Sequence, residues 1–395
     1  MSGRVRAVII ENEKEVKEYI RAVGCDLAGI NAMAPKAVHR TLKLAGLPVA
    51  AANVIKQEML AHGGDAAVHR GVIDNSVEKT DALLMGTLKQ YEQLIYKLRM
   101  YPFGLQETAE AIKNVLLNIE GRSCRELRCR GKKVMLGERT LVMGILNVTP
   151  DSFSDGGRFD RLEEALEQAK RLVDEGADIL DVGAESTRPQ AAQVSAEEEI
   201  ARLKPVLERL IPEIPIPISV DTYKSETARE VLAMGVEIIN DVWGLKKDSE
   251  MAEVVAQYPD VPVILMHNQS GNHYQDLMGD IISSLAESVT IAEGAGIAPD
   301  NIIIDPGIGF GKDTDQNLEV MRRLKEFQAL GKPVLLGTSR KSMIGKTLDL
   351  PVSERMEGTA ATLTLGISLG IDIVRVHDVK EMARVTRMTD SMVRR

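Results

Sequence analysis

Eight short apolar runs, separated by amphipathic segments, dominate the C-terminal two-thirds of the sequence. They are rich in Ile, Val and Leu with little alternation, which is typical of strands buried on both faces. In the intervals between these runs, apolar residues recur at spacings of three and four, which predicts amphipathic helices. The runs cover residues 141–146, 179–182, 216–220, 237–239, 262–266, 302–304, 333–336 and 373–376, and the predicted helices include 162–175, 197–210, 225–234, 278–295 and 316–330.

This alternation predicts an α/β fold, and eight β/α units within residues 141–395 match the size of a (β/α)8 TIM barrel. An open doubly wound sheet is the alternative. That fold would need a phosphate-binding G-x-G-x-x-G after the first strand, whereas Leu146 is followed by Asn-Val-Thr-Pro. Just before the barrel, basic and apolar residues alternate over 126–140, which predicts a β-hairpin with Gly131 at its turn.

The N-terminal part has a different pattern. Apolar residues spaced by three and four predict helices over 15–23, 35–45, 51–61, 80–99 and 106–118, and only 5–10 favours a strand. We therefore expect two domains. Residues 1–122 would be a smaller, mainly helical extension, either an interaction or oligomerisation module or a degenerate second domain, and residues 123–395 would be the barrel with its initial hairpin.

Composition limits the functional classes. Apolar residues make up 44% of the chain and charged residues 27%, as in soluble globular proteins. A net charge of −9 argues against an extended nucleic-acid surface. No membrane span or signal peptide is apparent, so we expect a cytoplasmic protein. Cys25, Cys124 and Cys129 lack metal-ligand spacing and favour structural thiols.

Polar side chains follow nearly every apolar run. In a (β/α)8 barrel the active site lies at the carboxyl ends of the strands, so these side chains would converge on one rim. Ordinary loop composition explains Asn240 and Asp241, since loops favour such residues. Ordinary loop composition does not readily explain why an Asp or Asn directly follows each of four separate strands. The positions are Asn147, Asp221, Asn240, Asp241, His267, Asp305, Arg340, Lys341, Arg375 and His377.

Several of these segments resemble dihydropteroate synthases in order and spacing. They read GILNVTPDSFSDGGRF from residue 144, then GADILDVGAESTRP, PISVDTYKSETAREVL, EIINDVWG, IIIDPGIGFGK, LLGTSRKSMIG and DIVRVHDV. The resemblance covers residues 126–395 and leaves the first 120 residues unmatched. It implies a transferase of folate biosynthesis that joins a pterin diphosphate to 4-aminobenzoate, releases pyrophosphate with the help of Mg²⁺, and is inhibited by sulfonamides.

The resemblance also implies roles for individual residues. Asn147 would be the metal-site residue, and it would act with Lys341, Arg375 and His377 in catalysis. Arg340 is a weaker candidate for the pyrophosphate. The pterin diphosphate would contact Thr187, Asp221, Asn240, Met266, Asp305, Lys341, Arg375 and His377. The aminobenzoate would contact Phe153, Thr187, Arg188, Pro189, Phe310, Lys341 and Ser342.

Two other functions fit parts of this pattern. A methyltetrahydrofolate-dependent corrinoid methyltransferase shares the segments SVDT and IINDV, but it would not need the first-loop, ESTRP, SRKS and RVHD segments. A non-catalytic pterin-binding protein would tolerate loss of the leaving-group residues, and Asn147, Arg375 and His377 are present. The resemblance further implies a homodimer with the last helices at its interface.

Overall fold

The computed structural model describes residues 5–102, 104–121, 124–148, 158–185 and 194–394. The chain divides into two compact units, Met1–Arg122 and Ser123–Arg395. Each unit has its own buried apolar core.

The N-terminal unit combines helices with an antiparallel sheet. Within its described residues the strands pair in the order β1-β3-β2, and α3 and α4 pack on the sheet. Tyr91, Ile55 and Leu84 are completely buried between these layers. The helices are α1 (Glu13–Val23), α2 (Leu27–Ala37), α3 (Val49–Ala61), α4 (Leu88–Leu98) and α5 (Leu105–Glu120), and the strands are β1 (His39–Pro48), β2 (Asp65–Val68) and β3 (Lys79–Thr87).

The predicted helices over 15–23, 51–61 and 106–118 are confirmed, but three other predictions for this unit are wrong. Residues 39–48 and 79–87 are strands, where we expected parts of helices 35–45 and 80–99. Residues 5–10 are not a strand, because Val5 is 97% exposed and no described strand pairs with them. In β3 the inward positions include Thr80, Ala82 and Leu84, but the alternating positions Leu83 and Met85 are apolar as well, so the sequence does not reveal a strand period.

The second unit begins with the predicted hairpin, formed by β4 (Arg125–Cys129) and β5 (Lys132–Leu136). Its turn places Arg130 at φ 49° and Gly131 at φ 95°, as a tight two-residue hairpin requires. Lys132 anchors the hairpin to the next layer, since its ammonium lies 2.7 Å from a carboxylate oxygen of Glu237.

All eight predicted strands form, and among the described residues they make one parallel sheet. A bridge between Ile304 and Val334 joins the two outermost strands, so the sheet closes into a barrel. The strands are β6 (Leu141–Asn147), β7 (Ile179–Gly183), β8 (Ile218–Asp221), β9 (Ile238–Asp241), β10 (Val263–Met266), β11 (Ile302–Asp305), β12 (Leu335–Leu336) and β13 (Ile373–Val376).

Helices follow the strands and cover the barrel. The five predicted ones are present, although the segment 316–330 is α-helical only to Arg322 and continues as a 3-10 helix over Leu324–Leu330. They are α6 (Arg158–Asp174), α7 (Ala196–Glu213), α8 (Ser225–Met234), α9 (Met251–Ala256), α10 (Leu277–Gly294), α11 (Thr314–Arg322), α12 (Ser342–Leu348), α13 (Met356–Ser368) and α14 (Val379–Val393). In the described part of the chain, no helix is both long and apolar enough to cross a membrane.

The side chains that point into the barrel are apolar at one end of its axis and polar or charged at the other. At the end where the strands begin, called here the lower end, they are apolar and pack against Leu127, Cys129 and Leu136 of the hairpin. The hairpin therefore covers the lower end. Each fully buried aliphatic side chain there stabilises the fold by about 2 kcal/mol. The inward residues of this layer are Leu141, Met143, Ile179, Ile238, Ile264, Ile303, Leu335 and Ile373.

Candidate functional site

At the upper end, where the strands finish, the inward side chains become charged or polar. Successive side chains of a strand point to opposite faces, so a residue two positions after an inward apolar residue also points inward. Asp181 follows Ile179, Asp305 follows Ile303, and Arg375 follows Ile373 in this way. The strand register then places Asp221 beside Gly183 and Asn240 beside Asp221.

Arg375 lies at the centre of this group. Its Nε donates to Asp181 Oδ2 at 2.6 Å, and its Nη2 donates to Asp221 Oδ2 at 3.0 Å. Asn240 Nδ2 donates to the same oxygen of Asp181 at 3.3 Å. Although burial opposes its charge, Asp181 and Asp221 raise the pKa of Arg375 above its usual value. The guanidinium thus stays charged and links three strands.

The carboxylates around Arg375 are deeply buried. Burial raises the pKa of Asp221 to about 7, with Arg375 opposing the shift and Asp181 adding to it. The second oxygens of Asp181 and Asp221 have no hydrogen-bond partner among the described residues. Burial likewise raises the pKa of Asp305 to about 6, against a 2.7 Å hydrogen bond from the Gly307 N–H to its Oδ1. This pocket therefore offers carboxylate acceptors to a ligand with N–H donors.

The loop after β11 forms one wall of the pocket. The Lys341 ammonium lies 4.1 Å from the ring centroid of Phe310, a cation–π distance. A side-chain carbon added at Gly309 would lie 3.1 Å from Lys341 Cδ. Phe310, expected at the aminobenzoate site, and Lys341, expected at both the pterin and the aminobenzoate sites, are therefore in contact.

Lys312 fixes the same loop from within. Its ammonium lies 3.0 Å from His267 Nδ1 and donates to the carbonyls of Gly307 at 3.0 Å and Phe310 at 3.1 Å. Burial lowers the pKa of Lys312 to about 7, and burial with the nearby Lys312 charge lowers that of His267 to about 3. His267 is therefore neutral, and its role is to anchor the loop through Lys312.

Gly307 allows this loop to approach β10. Its φ is 69°, and a side-chain carbon there would lie 2.0 Å from the His267 carbonyl oxygen and 3.3 Å from Met266 Cγ. Only glycine fits both the backbone conformation and the contact. Met266 itself is 4% exposed and lies under the loop, on the inward side of the barrel.

Asn147 ends β6 and is exposed at the rim. A side-chain carbon added at Gly183 would lie 3.7 Å from both Asn147 Oδ1 and Asp221 Cβ, so the amide is next to the carboxylate pocket. Within the described residues, no group of three His, Cys, Asp or Glu side chains could hold a metal ion. Asn147 therefore offers a single oxygen ligand, and further ligands would come from water or a bound substrate.

His377 follows β13 two residues after Arg375. Its Nδ1 lies 3.0 Å from Ser339 Oγ, and burial together with the Arg375 charge lowers its pKa to about 4. The imidazole is therefore neutral at pH 7. Arg340, the weaker candidate, is ion-paired with Asp378. Ser342 is exposed at the first residue of α12.

Most of the predicted site residues surround one pocket. Four of them, Phe153, Thr187, Arg188 and Pro189, lie outside the described residues. Sequence reasoning missed Asp181, because it considered the residues after each strand and Asp181 lies inside β7. A single Asp within the apolar run Ile-Leu-Asp-Val was the available signal. Lys312 was also missed, although Phe310 in the same loop was predicted to contact the aminobenzoate.

Comparisons with known proteins agree on one family. The family model described as pterin binding enzyme matches residues 143–377. A dihydropteroate synthase from Bacillus subtilis is 57% identical over 256 residues, which are 65% of this chain and 90% of that protein. A probable bifunctional folylpolyglutamate synthase/dihydropteroate synthase from Halobacterium salinarum is 41% identical over 370 residues, 92% of this chain and 44% of that protein. This last match includes most of the N-terminal unit.

Solved structures give the same picture for the barrel. A Clostridium difficile dihydropteroate synthase, crystallised in the presence of pteroic acid, is 53% identical with a TM-score of 0.65 and covers 66% of this chain and 99% of that one. A Yersinia pestis dihydropteroate synthase in complex with a sulfonamide drug is 39% identical with a TM-score of 0.64 and covers 68% of this chain and 99% of that one.

Proposed function

Since the chain belongs to the pterin-binding enzymes and is a transferase of the dihydropteroate synthase family, we propose that it joins 6-hydroxymethyl-7,8-dihydropterin diphosphate to 4-aminobenzoate. The products are 7,8-dihydropteroate and pyrophosphate. The observation that carries the proposal is the bridging of the buried Asp181 and Asp221 carboxylates by Arg375. This arrangement combines acceptors for a flat, N–H-rich ring with a cation for its leaving group.

The pterin binds in the deep part of the pocket. Its guanidine-like edge donates paired hydrogen bonds to Asp221 and Asp305, whose burial makes such charge-assisted bonds strong. Asn240 contributes an amide that can donate and accept. Lys341 donates to the ring carbonyl or a ring nitrogen, and Met266 packs against a ring face.

The leaving group is bound at the rim. When the C–O bond to the diphosphate breaks, negative charge collects on pyrophosphate oxygens and positive charge on the pterin methylene. Arg375 and a hydrogen bond from the neutral His377 stabilise that anion. Asn147 would hold Mg²⁺, which when bound supplies further positive charge to those oxygens. An amide oxygen at an exposed strand end fits that cation, since Mg²⁺ takes oxygen ligands and keeps waters and substrate phosphates as the others.

The second substrate needs no strong base. An aromatic amine is already neutral at pH 7, so its nitrogen lone pair can attack the cationic methylene directly and the amine proton then passes to solvent. Phe310 and Lys341 line this half of the site, and Ser342 binds the carboxylate of 4-aminobenzoate. Thr187, Arg188 and Pro189 on the loop after β7, and Phe153 on the loop after β6, complete it.

The test is pyrophosphate release by the purified full chain. We expect release only when the pterin diphosphate, 4-aminobenzoate and Mg²⁺ are all present, with dihydropteroate formed in equal amount. Sulfonamides should inhibit competitively against 4-aminobenzoate because they match its shape and charge. A corrinoid methyltransferase or a non-catalytic pterin-binding protein would release none, and that result would reject the proposal.

We infer two further properties with the function. The chain acts in the cytoplasm, which its free thiols Cys25, Cys124 and Cys129 support because a reducing compartment keeps thiols unpaired. It also forms a homodimer through α13 and α14. The exposed apolar side chains of Met388, Met392 and Leu365 on these helices support that interface.

A further inference from the structure

The histidine at the rim is paired with a serine on the neighbouring strand connection. Strands β12 and β13 run parallel, with Leu335 beside Ile373. The same register continues past the strand ends and places Ser339 beside His377. Ser339 Oγ lies 3.0 Å from His377 Nδ1, and it accepts from the His377 backbone N–H at 3.2 Å. One hydroxyl therefore contacts both the ring and the backbone of this histidine.

The residues next to this pair hold the two segments together. Arg340 Nε donates to Asp378 Oδ2 at 3.0 Å, one position further along the same register. The start of α13 holds the turn as well, because Arg355 Nη1 donates to the Arg340 carbonyl at 3.0 Å and the Arg340 N–H donates to Thr359 Oγ1 at 3.2 Å. Ser339 is only 5% exposed. Its hydroxyl is thus a fixed partner of the imidazole, supported by a second layer of contacts.

The hydrogen bonds of Ser339 decide which ring nitrogen carries the proton. A serine hydroxyl has one proton to donate and two lone pairs that accept. One lone pair accepts from the His377 backbone, and among the described residues the acceptor within reach of the hydroxyl proton is Nδ1. If Nδ1 were protonated, that buried hydroxyl proton would lack an acceptor, which is unfavourable. Nδ1 is therefore the acceptor, and the proton of the neutral ring lies on Nε2.

The position of this proton matters for an anion at the rim. Because burial and the Arg375 charge lower the pKa of His377 to about 4, the ring has a single proton at pH 7. The imidazole is half-buried, and no described residue is hydrogen-bonded to its Nε2. With the proton on Nε2, the ring donates to an anion there, whereas a lone pair on Nε2 would repel it. The tautomer therefore determines whether His377 stabilises a departing pyrophosphate.

We propose that Ser339 is a positioning residue for the leaving group, because its hydroxyl donates to His377 Nδ1 and keeps the ring proton on the nitrogen that faces the diphosphate. Ser339 acts through His377 and touches neither substrate. The inference rests on the proposed function, since that function places the pyrophosphate at His377. A serine that only filled space could be replaced by alanine without moving the ring proton.

The first experiment locates the ring proton directly. Nitrogen NMR of the full chain with isotope-labelled histidine distinguishes a ring nitrogen that carries a proton from one that does not, and His377→Gln identifies the signals of His377. At neutral pH we expect the proton on Nε2 in the wild type and an added Nδ1-protonated population in Ser339→Ala. Thr338→Val is the matched control. It removes a buried hydroxyl one residue earlier, 2.8 Å from Thr362 Oγ1, and should leave the His377 signals unchanged.

The second experiment measures turnover of the same variants. Ser339→Ala should lower kcat about five- to tenfold, as expected for one hydrogen bond made in the transition state, while the KM for 4-aminobenzoate stays within about twofold. Ser339→Thr retains a hydroxyl and should recover most of the loss, and Thr338→Val should leave kcat unchanged. In a His377→Gln background, Ser339→Ala should have no further effect, because Ser339 acts only through the imidazole.

Three outcomes overturn the inference. They are a proton on Nδ1 in the wild type, His377 signals in Ser339→Ala that match those in Thr338→Val, and an equal loss of kcat from Ser339→Ala with and without the imidazole. The wild-type spectrum decides the question even if Ser339→Ala does not fold. A wild-type chain that forms no dihydropteroate would reject the proposed function instead, since the position of the proton is measured without turnover.

Discussion

Arg375 is the residue on which the pocket depends most, because it neutralises Asp181 and Asp221 while presenting its charge to the rim. Arg375→Ala leaves two buried carboxylates without a cation, at a cost of about 3–5 kcal/mol in stability. We expect the variant to lose turnover and to show a lower Tm. Calorimetry and the pyrophosphate assay measure the two effects. Unchanged turnover would refute the leaving-group assignment.

Asp221 is expected to control pterin affinity. Asp221→Ala removes a charge-assisted acceptor in a dry pocket, and a loss of about 100-fold in pterin affinity follows if two such hydrogen bonds are lost. Isothermal titration with a pterin measures this. The matched variant is Asp248→Ala, which removes an outer carboxylate that accepts from the Ser225 N–H at 2.8 Å and should leave pterin affinity unchanged. Undiminished binding in Asp221→Ala would refute its role.

The pH dependence of binding follows from the same carboxyl groups. Burial raises the pKa of Asp221 to about 7 and that of Asp305 to about 6, and only their ionised forms accept two N–H bonds. Pterin affinity should therefore fall as the pH is lowered from 8 to 5.5. The stability of the free protein should depend on pH in the opposite direction. Because the folded state raises the pKa of both carboxyl groups, it binds their protons more tightly than the unfolded chain does. The resulting contribution to stability is present at acid pH and is lost as the pH rises to 7. An affinity independent of pH would contradict the assignment.

At the scale of elements, the loop after β11 depends on Gly307. Gly307→Ala would place a side-chain carbon 2.0 Å from the His267 carbonyl oxygen, so the loop must move and the contact between Phe310 and Lys341 must change. We expect weaker binding of both substrates. Gly271→Ala is the control, since Gly271 also has a positive φ, 80°, but nothing lies within 4 Å of an added carbon. Equal effects of the two variants would show that backbone strain alone is responsible.

The barrel strands could be predicted from sequence because burial on both faces makes each one a continuous apolar run. Residues 302–304, for example, are three isoleucines, and all are fully buried. The strands of the N-terminal unit could not be predicted in this way. In β1, Leu42 and Leu44 are two residues apart, as in a strand, but a register shift between Leu44 and Leu47 breaks this alternation and leaves a spacing of three that also suits a helix. Only pairing with β3 determines the conformation.

The site was predictable to the extent that its residues follow strand ends. Asp221 and Asp305 are the last residues of β8 and β11, and both face the pocket. Asp181 was missed because its position depends on which face of β7 points inward, and the apolar run on both faces conceals that alternation. The buried position of Lys312 could not be predicted either, because it depends on the close approach between Gly307 and β10.

At the scale of the whole molecule, the barrel should be sufficient for turnover. The Bacillus subtilis dihydropteroate synthase aligns over 90% of its own length with only 65% of this chain. The two units also have separate cores. A chain of residues 123–395 should therefore keep kcat within about twofold of the full chain. Loss of activity in a folded truncated protein would assign a catalytic contribution to the N-terminal unit.

The proposed homodimer can be tested on α14. Met388 and Met392 are one helical turn apart and are 60% and 56% exposed, and Leu365 on the packed helix α13 is 40% exposed. Changing both methionines to glutamate would place charges in an apolar interface and should yield monomers. Light scattering after gel filtration measures the mass. A wild-type chain that is already monomeric would reject the interface.

The hairpin beneath the barrel has a kinetic consequence. Because Leu127, Cys129 and Leu136 cover the lower end of the barrel among the described residues, we expect ligands to reach the pocket from the upper end. A ligand bound at the depth of Asp181 should therefore arrive before one bound near the exposed Ser342, and the joined product should leave by the same end. An order of substrate addition thus follows from the hairpin formed by β4 and β5, which lies at the opposite end of the barrel from both substrates.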